Sequence, residues 1–432
     1  MAPEQEEGMN IREWKEKLEG PTLDGKLHEL YGALADENKK RYEEVLDLFG
    51  EQYGDSDKIR LFSAPGRTEI GGNHTDHQNG RVLAASVNLD TIAAAAPIEE
   101  PVIRVFSKGH TPAEIDIRDL SVREDQKNSS HALLRGVVDG FAKLGCKLGG
   151  MEIAVTSSVL SGSGISSSAA YEVLLGNIIN NLYFDESVDA VKIAQIGQYA
   201  ENVHFGKPSG LLDQMASSVG NILTIDFKDT EKPVVKKLDI DFDKFGLALC
   251  IVNSGADHVD LTDEYAAIPR EDKAVCDVFG KNVLREITIE DLARELPRVR
   301  EQAGDRAALR ALHFLQDNDR VTKQVEALEA GDIDTFLTLV NESGLSSWLY
   351  LQNIVPCGAI KHQEMAVALA VSKCLLGKRG ASRVHGGGFA GTIQAFVPKD
   401  MLDDFKKGVD AALGEGSCQE LSIRPVGGTE IR

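Results

Sequence analysis

The stretch SGSGISSSAA, Ser161 to Ala170, decides how the rest of the chain is read. It follows MEIAV (Met151–Val155), an apolar run that reads as a buried strand. It precedes YEVLLGNIINNLYF (Tyr171–Phe184), whose apolar residues recur at helical spacing. A Gly- and Ser-rich loop feeding a helix N-terminus is suited to holding an anion. Gly162 and Gly164 let a phosphate approach the main chain. Ser166, Ser167 and Ser168 offer hydroxyls and N–H groups at the positive end of the helix dipole. Taken alone, the loop also reads as a flexible turn with an ordinary serine cap.

The chain around it has 432 residues, enough for two or three domains. Its formal charge of −21 argues against nucleic acid and anionic membranes as partners, since phosphate surfaces need clustered Lys and Arg. A nucleotide is still accessible through backbone N–H groups, a few cations and a metal ion. Six cysteines without a CxxC pair give neither a zinc pattern nor a disulfide framework. The acidic start MAPEQEEGMN has no apolar core of a signal peptide, and no apolar run is long enough to span a bilayer. These features predict a cytoplasmic protein.

In chain order, residues 1–54 read as a charged helical extension, with periodicity in NIREWKEKLEG and NKKRYEEVLDLFGEQYG. IRLFSAPGR reads as a strand running into a Pro-Gly break, then a segment dense in Gly, His, Asp and Asn. VLAASVNLDTIAAAAPI and VIRVFSK read as strands, and HALLRGVVDGFAKLG as a helix. AVKIAQIGQYAENVHFG reads as one helix with Glu201 near its end, and PSGLLDQMASSVG as a turn and helix carrying Asp213. A second unit opens near Phe245 with the strand LALCIVNSG, followed by mostly helical chain, the helix QEMAVALAVSKCLLG and a late glycine cluster running into a strand. Domains are placed at 55–240 and 241–432. Strands and helices without strict alternation predict an α+β fold. No Walker A, GxGxxG or GxSxG pattern occurs in a fitting context.

Four stretches, in order, carry a resemblance: SAPGRTEIGGNHTDHQNG, SGSGISSSAA, AENVHFGKPSGLLDQMAS and RVHGGGFAGT. Together they resemble the GHMP small-molecule kinases, and within them the galactokinases, over roughly residues 40 to 430. NSGADHVDLTDEY is similar to a further family segment. The resemblance implies a two-domain GHMP kinase fold: an N-terminal α/β domain like ribosomal protein S5 domain 2 and a C-terminal ferredoxin-like α+β domain. Both ligands would lie between them.

The resemblance also implies roles. Ser161–Ser168 would wrap the phosphates of ATP, and Ser168 and Glu201 would hold Mg²⁺; oxygen donors beside phosphates suit that cation. Asp213 matches the catalytic aspartate that orients or deprotonates an anomeric hydroxyl. Arg67 matches its partner, keeping Asp213 ionised and neutralising phosphoryl charge. Asn73, His74, Asp76, Gly210 and Tyr265 match sugar-binding positions, as Asp213 does. Bland readings compete: a solvated helix-end carboxylate for Glu201, a cap for Asp213, a surface ion pair for Arg67. His74 and His77 lack the third ligand a metal site needs.

The sequence departs from the galactokinase pattern GRxNxIGEHxDY. Glu69 stands for Asn, Gly71 for Ile, Asn73 for the Glu that contacts the sugar 6-hydroxyl, and His77 for Tyr; Ala390 breaks GGGFGG. The expectation is a sugar 1-kinase with D-galactose as leading substrate. The alternatives are a kinase for galacturonate, arabinose or an N-acetylhexosamine, or a catalytically silent sugar sensor. Sugar and ATP are the expected partners; oligomeric state is not legible.

Overall fold

The structure, a computed structural model, describes residues 8–159, 165–256 and 261–432, the side chain of residue 262 excepted. Ser161, Gly162, Ser163 and Gly164 of the phosphate-loop expectation lie outside the described residues.

Three helices come first: α1 (Ile11–Glu19), α2 (Asp24–Tyr31) and α3 (Ala35–Tyr53). Asn10 caps α1 through a reciprocal bond pair with Glu13. Strands β1 (Arg60–Gly71), β2 (Arg81–Ile98), β3 (Val102–Ser107) and β4 (Ala113–Asp116) follow. Next are α4 (Ser130–Lys143), β5 (Gly150–Ser157), α5 (Ser167–Tyr183), α6 (Ala190–Tyr199) and α7 (Leu212–Val219). β6 (Ile222–Asp226), β7 (Val234–Leu238) and β8 (Leu247–Asn253) lead to four helices: α8 (Thr262–Phe279), α9 (Ile289–Gln302), α10 (Asp305–Ala330) and α11 (Ile333–Ser346). The chain closes with α12 (Glu364–Leu376), β9 (Ala381–Val384), β10 (Thr392–Pro398), α13 (Leu402–Leu413), β11 (Cys418–Leu421) and β12 (Thr429–Ile431).

One sheet runs β12-β1-β2-β5-β3-β4, with β6 also on β2 and β7 on β6; a second runs β11-β8-β10-β9. β2 reaches both β5 and β6 because its two halves pair different partners, 91–98 with β5 and 81–85 with β6. Its alanines explain the layering. Ala93 and Ala95 join the core beneath α4, α5 and α6, whereas Ala94 and Ala96 join the core beneath α1–α3. Side chains alternate along a strand, so a strand covered by helices on both faces is apolar throughout. A third core contains Ile70 and Leu83 of the first sheet, Leu249 and Phe396 of the second, and Val321 and Phe336 of α10 and α11. The two sheets are thus fastened through shared apolar packing.

Two elements differ from their sequence reading. The Pro-Gly break does not end the strand. β1 keeps pairing with β2 beyond it, with irregularities between Pro65 and Arg67 and between Glu69 and Gly71. Pro65 lacks an N–H and cannot complete a regular ladder, so the strand bulges and re-aims the residues after it. The helix carrying Glu201 leaves α geometry at Tyr199 and continues as a π-helical turn, Ala200–Phe205. Apolar spacing runs on through this turn, so periodicity does not mark the change.

Candidate active site

The bulged part of β1 delivers Arg67, the first turn of α7 delivers Asp213, and the start of α5 delivers Ser166–Ser168. Arg67 donates from Nε to Asp213 Oδ1 (2.6 Å) and from Nη2 to Oδ2 (2.8 Å). This is a planar fork on both carboxylate oxygens, a geometry that lysine cannot reproduce. Burial works to raise the Asp213 pKa; Arg67, then a bond from the Ser166 side chain, outweigh it and hold it below the usual carboxylate range. Arg67 is buried, while about a third (35 %) of the Asp213 side chain is open, so the carboxylate is the reachable member. Ser166 adopts the left-handed region at φ 59°. A non-glycine residue held there signals local strain of the kind found at functional sites.

A second carboxylate lies alongside. Glu201 is 3 % exposed, so it is not a solvated helix-end residue. Its Oε1 accepts from Ser168 Oγ (3.3 Å) and Lys207 Nζ (3.3 Å), and its Oε2 from Gln214 Nε2 (2.9 Å). The same Gln214 amide donates to Glu172 Oε2 (2.9 Å). Burial foremost, then Glu201, raises the Glu172 pKa well above the carboxylate range. Lys207, Gln214 and Glu172 escape the motif reading. The signal for Glu172 is its i+4 spacing from Ser168, which stacks the two on one face of α5.

The predicted sugar positions form a separate rim. Asp76 Oδ2 accepts from the Leu212 N–H at 3.4 Å, and a Cβ added at Gly210 would meet that oxygen at 1.8 Å. Gly210 is glycine because Asp76 packs against its backbone. His74, at φ 61°, contacts the Gly387 carbonyl through Nε2 (2.9 Å) and stacks on His77 with ring centroids 5.7 Å apart. Burial, then His77, pushes its pKa down to about 3, so His74 is neutral. Tyr265 donates its hydroxyl to the Gly388 carbonyl (2.8 Å) and meets Phe389 edge-on.

Asn73 behaves differently from the rest. It is fully buried, with Nδ2 donating to Glu69 Oε1 (2.9 Å) and the Gly386 carbonyl (2.7 Å). Its Oδ1 accepts from Ser347 Oγ (3.1 Å) and Asn353 Nδ2 (2.9 Å). An amide has two donors and two acceptor positions, and all four are used within the protein. Glu69 in turn pairs with Arg383, which is also fully buried.

The galactokinase galactose-binding signature matches residues 47–97, which contain β1, the Asn73–Asp76 turn and all but the last residue of β2; the GHMP kinase N-terminal domain matches residues 132–221, which contain the start of α5, Glu201 and Asp213. The chain is a galactokinase-like GHMP kinase. Galactokinase of Lactococcus lactis, solved with galactose, superposes with a TM-score of 0.79 at 23 % identity, covering 90 % of this chain and 99 % of that one. Mevalonate kinase of Methanococcus jannaschii superposes at 0.59, with 13 % identity over 84 % of this chain and 98 % of that one. Phosphomevalonate kinase of Streptococcus pneumoniae, solved with phosphomevalonate and AMPPNP, gives 0.58, with 12 % identity over 83 % and 99 %. The kinase has the fold these proteins share. No helix among its described residues is long and apolar enough to cross a membrane.

The donor set suits a magnesium ion bound chiefly through phosphate. Ser168 and Glu201 put two hard oxygens at one point. Among the described residues no group of three or more His, Cys, Asp or Glu side chains is arranged to hold a metal. A cation there would complete its shell from phosphate and water.

Proposed function

We propose that this kinase transfers the γ-phosphoryl group of ATP to the anomeric hydroxyl of a monosaccharide, with Mg²⁺, and that D-galactose is its leading substrate. The observation that carries the reading is the Arg67–Asp213 fork beside the start of α5. Asp213, kept ionised, accepts the anomeric O–H and takes its proton as the oxygen attacks. The new P–O bond forms at the anomeric oxygen, and the bond from the γ-phosphorus to the bridging oxygen breaks. Arg67, fixed by the bulged strand, offsets the negative charge that accumulates. Ser166–Ser168 and the α5 N-terminus face the phosphates. Ser168 and Glu201 would hold Mg²⁺, which would supply charge neutralisation and orientation of the phosphates.

Asp76, His74 and the Gly386–Gly388 run would line the sugar. Asn73 would act by fixing the Gly386 carbonyl and Glu69 rather than by reading the 6-hydroxyl, since its amide is already saturated. That saturation favours a second reading within the same chemistry: a pentose or a C6-modified relative of galactose. ATP consumption over galactose, 6-deoxygalactose, arabinose, galacturonate and N-acetylgalactosamine tests both. Mg²⁺-dependent turnover highest with galactose supports the first reading, and a better rate with arabinose or a C6 variant the second. ATP hydrolysis indifferent to every sugar, or none at all, overturns both and leaves the sensor.

A further inference from the structure

Lys207 is the residue whose placement none of this explains. The π-helical turn ends at Gly206, held at φ 88°. The backbone N–H groups of Gly206 and Lys207 both donate to the Glu201 carbonyl, at 3.0 and 3.1 Å. The chain doubles back here, and the Lys207 side chain returns to the carboxylate of the same residue, Nζ to Oε1 at 3.3 Å. The oxygen it meets is the one that Ser168 Oγ touches; the other oxygen is taken by Gln214. The ammonium therefore takes the Glu201 oxygen that a divalent cation bound by Ser168 and Glu201 would use.

The two ends of this side chain are held differently. Its backbone N–H is fixed by the bond to the Glu201 carbonyl, whereas 61 % of the side chain is exposed. A compact ammonium on a flexible four-carbon stem can change partner at little cost. The Glu201 and Asp213 carboxylates beside an incoming polyphosphate leave a deficit of positive charge. Arg67 is engaged with Asp213. A divalent cation arriving at Oε1 would repel the ammonium, and phosphate oxygens would attract it.

We propose that Lys207 is a phosphate-binding residue of the transfer reaction, its ammonium neutralising Glu201 in the empty site and moving onto the nucleotide phosphates when they bind. This rests on the reading that the phosphates lie at the start of α5. It gives the site a mobile cation in addition to the fixed guanidinium of Arg67.

Calorimetric titration of a non-hydrolysable ATP analogue, in EDTA and in Mg²⁺, tests it on wild type, Lys207→Met and Lys207→Arg. Thermal melts serve as the control for folding. Loss of a hydrogen bond to a charged group should weaken analogue binding in EDTA at least about tenfold in Lys207→Met, with kcat lowered as well. Lys207→Arg should recover most of the affinity. Unchanged affinity in EDTA for Lys207→Met, with only the Mg²⁺ requirement altered, would make Lys207 a fixed counter-ion of Glu201 and overturn the proposal. Failure of wild type to bind the analogue under either condition would overturn both this proposal and the kinase reading it rests on.

Discussion

At the scale of single residues, the ionisation of Asp213 is a contest between burial and Arg67, which Arg67 wins. Replacing Arg67 with Met leaves burial unopposed by its charge, so the carboxyl pKa rises. The acid limb of the kcat–pH profile should then move to higher pH, and kcat should fall more than KM rises. An unmoved acid limb would show that Arg67 does not set the charge of Asp213. The Glu69–Asn73 pair makes a second residue-scale prediction. Asn73→Glu puts two buried carboxylates side by side, and Glu69→Asn leaves Arg383 without its carboxylate, so each single change should destabilise the fold. The double exchange restores one amide facing one carboxylate, and a coupling of about 1–3 kcal/mol is expected in denaturation. Simple additivity would mean that the two positions do not act as a pair. Of these residues, Arg67 and Asp213 are legible because their motifs surround them. Arg383 is not: it meets Glu69 across 314 residues of chain, and no local pattern announces it.

Elements explain why the motifs converge. The strand–loop–helix unit of β5 and α5 is plain in the sequence, because an apolar run, a Gly/Ser loop and helical spacing follow one another. The bulge in β1 and the π-helical turn before Gly206 are not, since each changes local geometry without interrupting the apolar pattern. Yet these two irregularities aim Arg67 and present Glu201. β6 and β7 are also unmarked. β7 reads VVKKL with mostly exposed residues, a short strand on the margin of a sheet. The turn before α7 is a sharper case. Gly210 has room for hydrogen only, because Asp76 lies against it. Gly210→Ala should displace the Asp76 carboxylate and raise the sugar KM by about tenfold or more, as expected when a hydrogen bond to a charged group is lost. Nucleotide affinity should be kept. A parallel loss of nucleotide affinity would show a wider collapse of the α7 turn instead.

Across the whole molecule, Asp90 gathers the ends of the chain. It is fully buried on β2 and takes Arg41 of α3 at 2.6 Å and Arg424 of the C-terminal tail at 3.1 Å. Tyr31 of α2 and Ser63 of β1 also donate to it. Its backbone exchanges bonds with Ser158, the residue that follows β5 ahead of the Gly/Ser loop. The N-terminal helices, for which the sequence offers no chemistry, thus brace the strand that carries this loop. Burial works to raise the Asp90 pKa, and Arg41 and Arg424 outweigh it, leaving the net direction down. A depressed carboxylate stabilises the fold above its unfolded pKa, and that contribution is lost as pH falls through the folded value. Asp90→Asn should therefore cost about 3–5 kcal/mol near neutrality, as for a broken buried ion pair, with the gap to wild type closing in acid. A gap independent of pH would mean that the charge of Asp90 contributes nothing. The pairing itself, Asp90 with Arg424 334 residues away, is a product of the fold and lies beyond any sequence window. What the whole fold does with these pieces is tested most directly by the identity of the product. Phosphorus and proton NMR of wild type and Asp213→Asn, each incubated with ATP, Mg²⁺ and galactose, should show galactose 1-phosphate from wild type and at least about a 10²-fold slower appearance from the variant. Phosphate on any other carbon, or an undiminished rate in Asp213→Asn, would contradict a sugar 1-kinase working through Asp213.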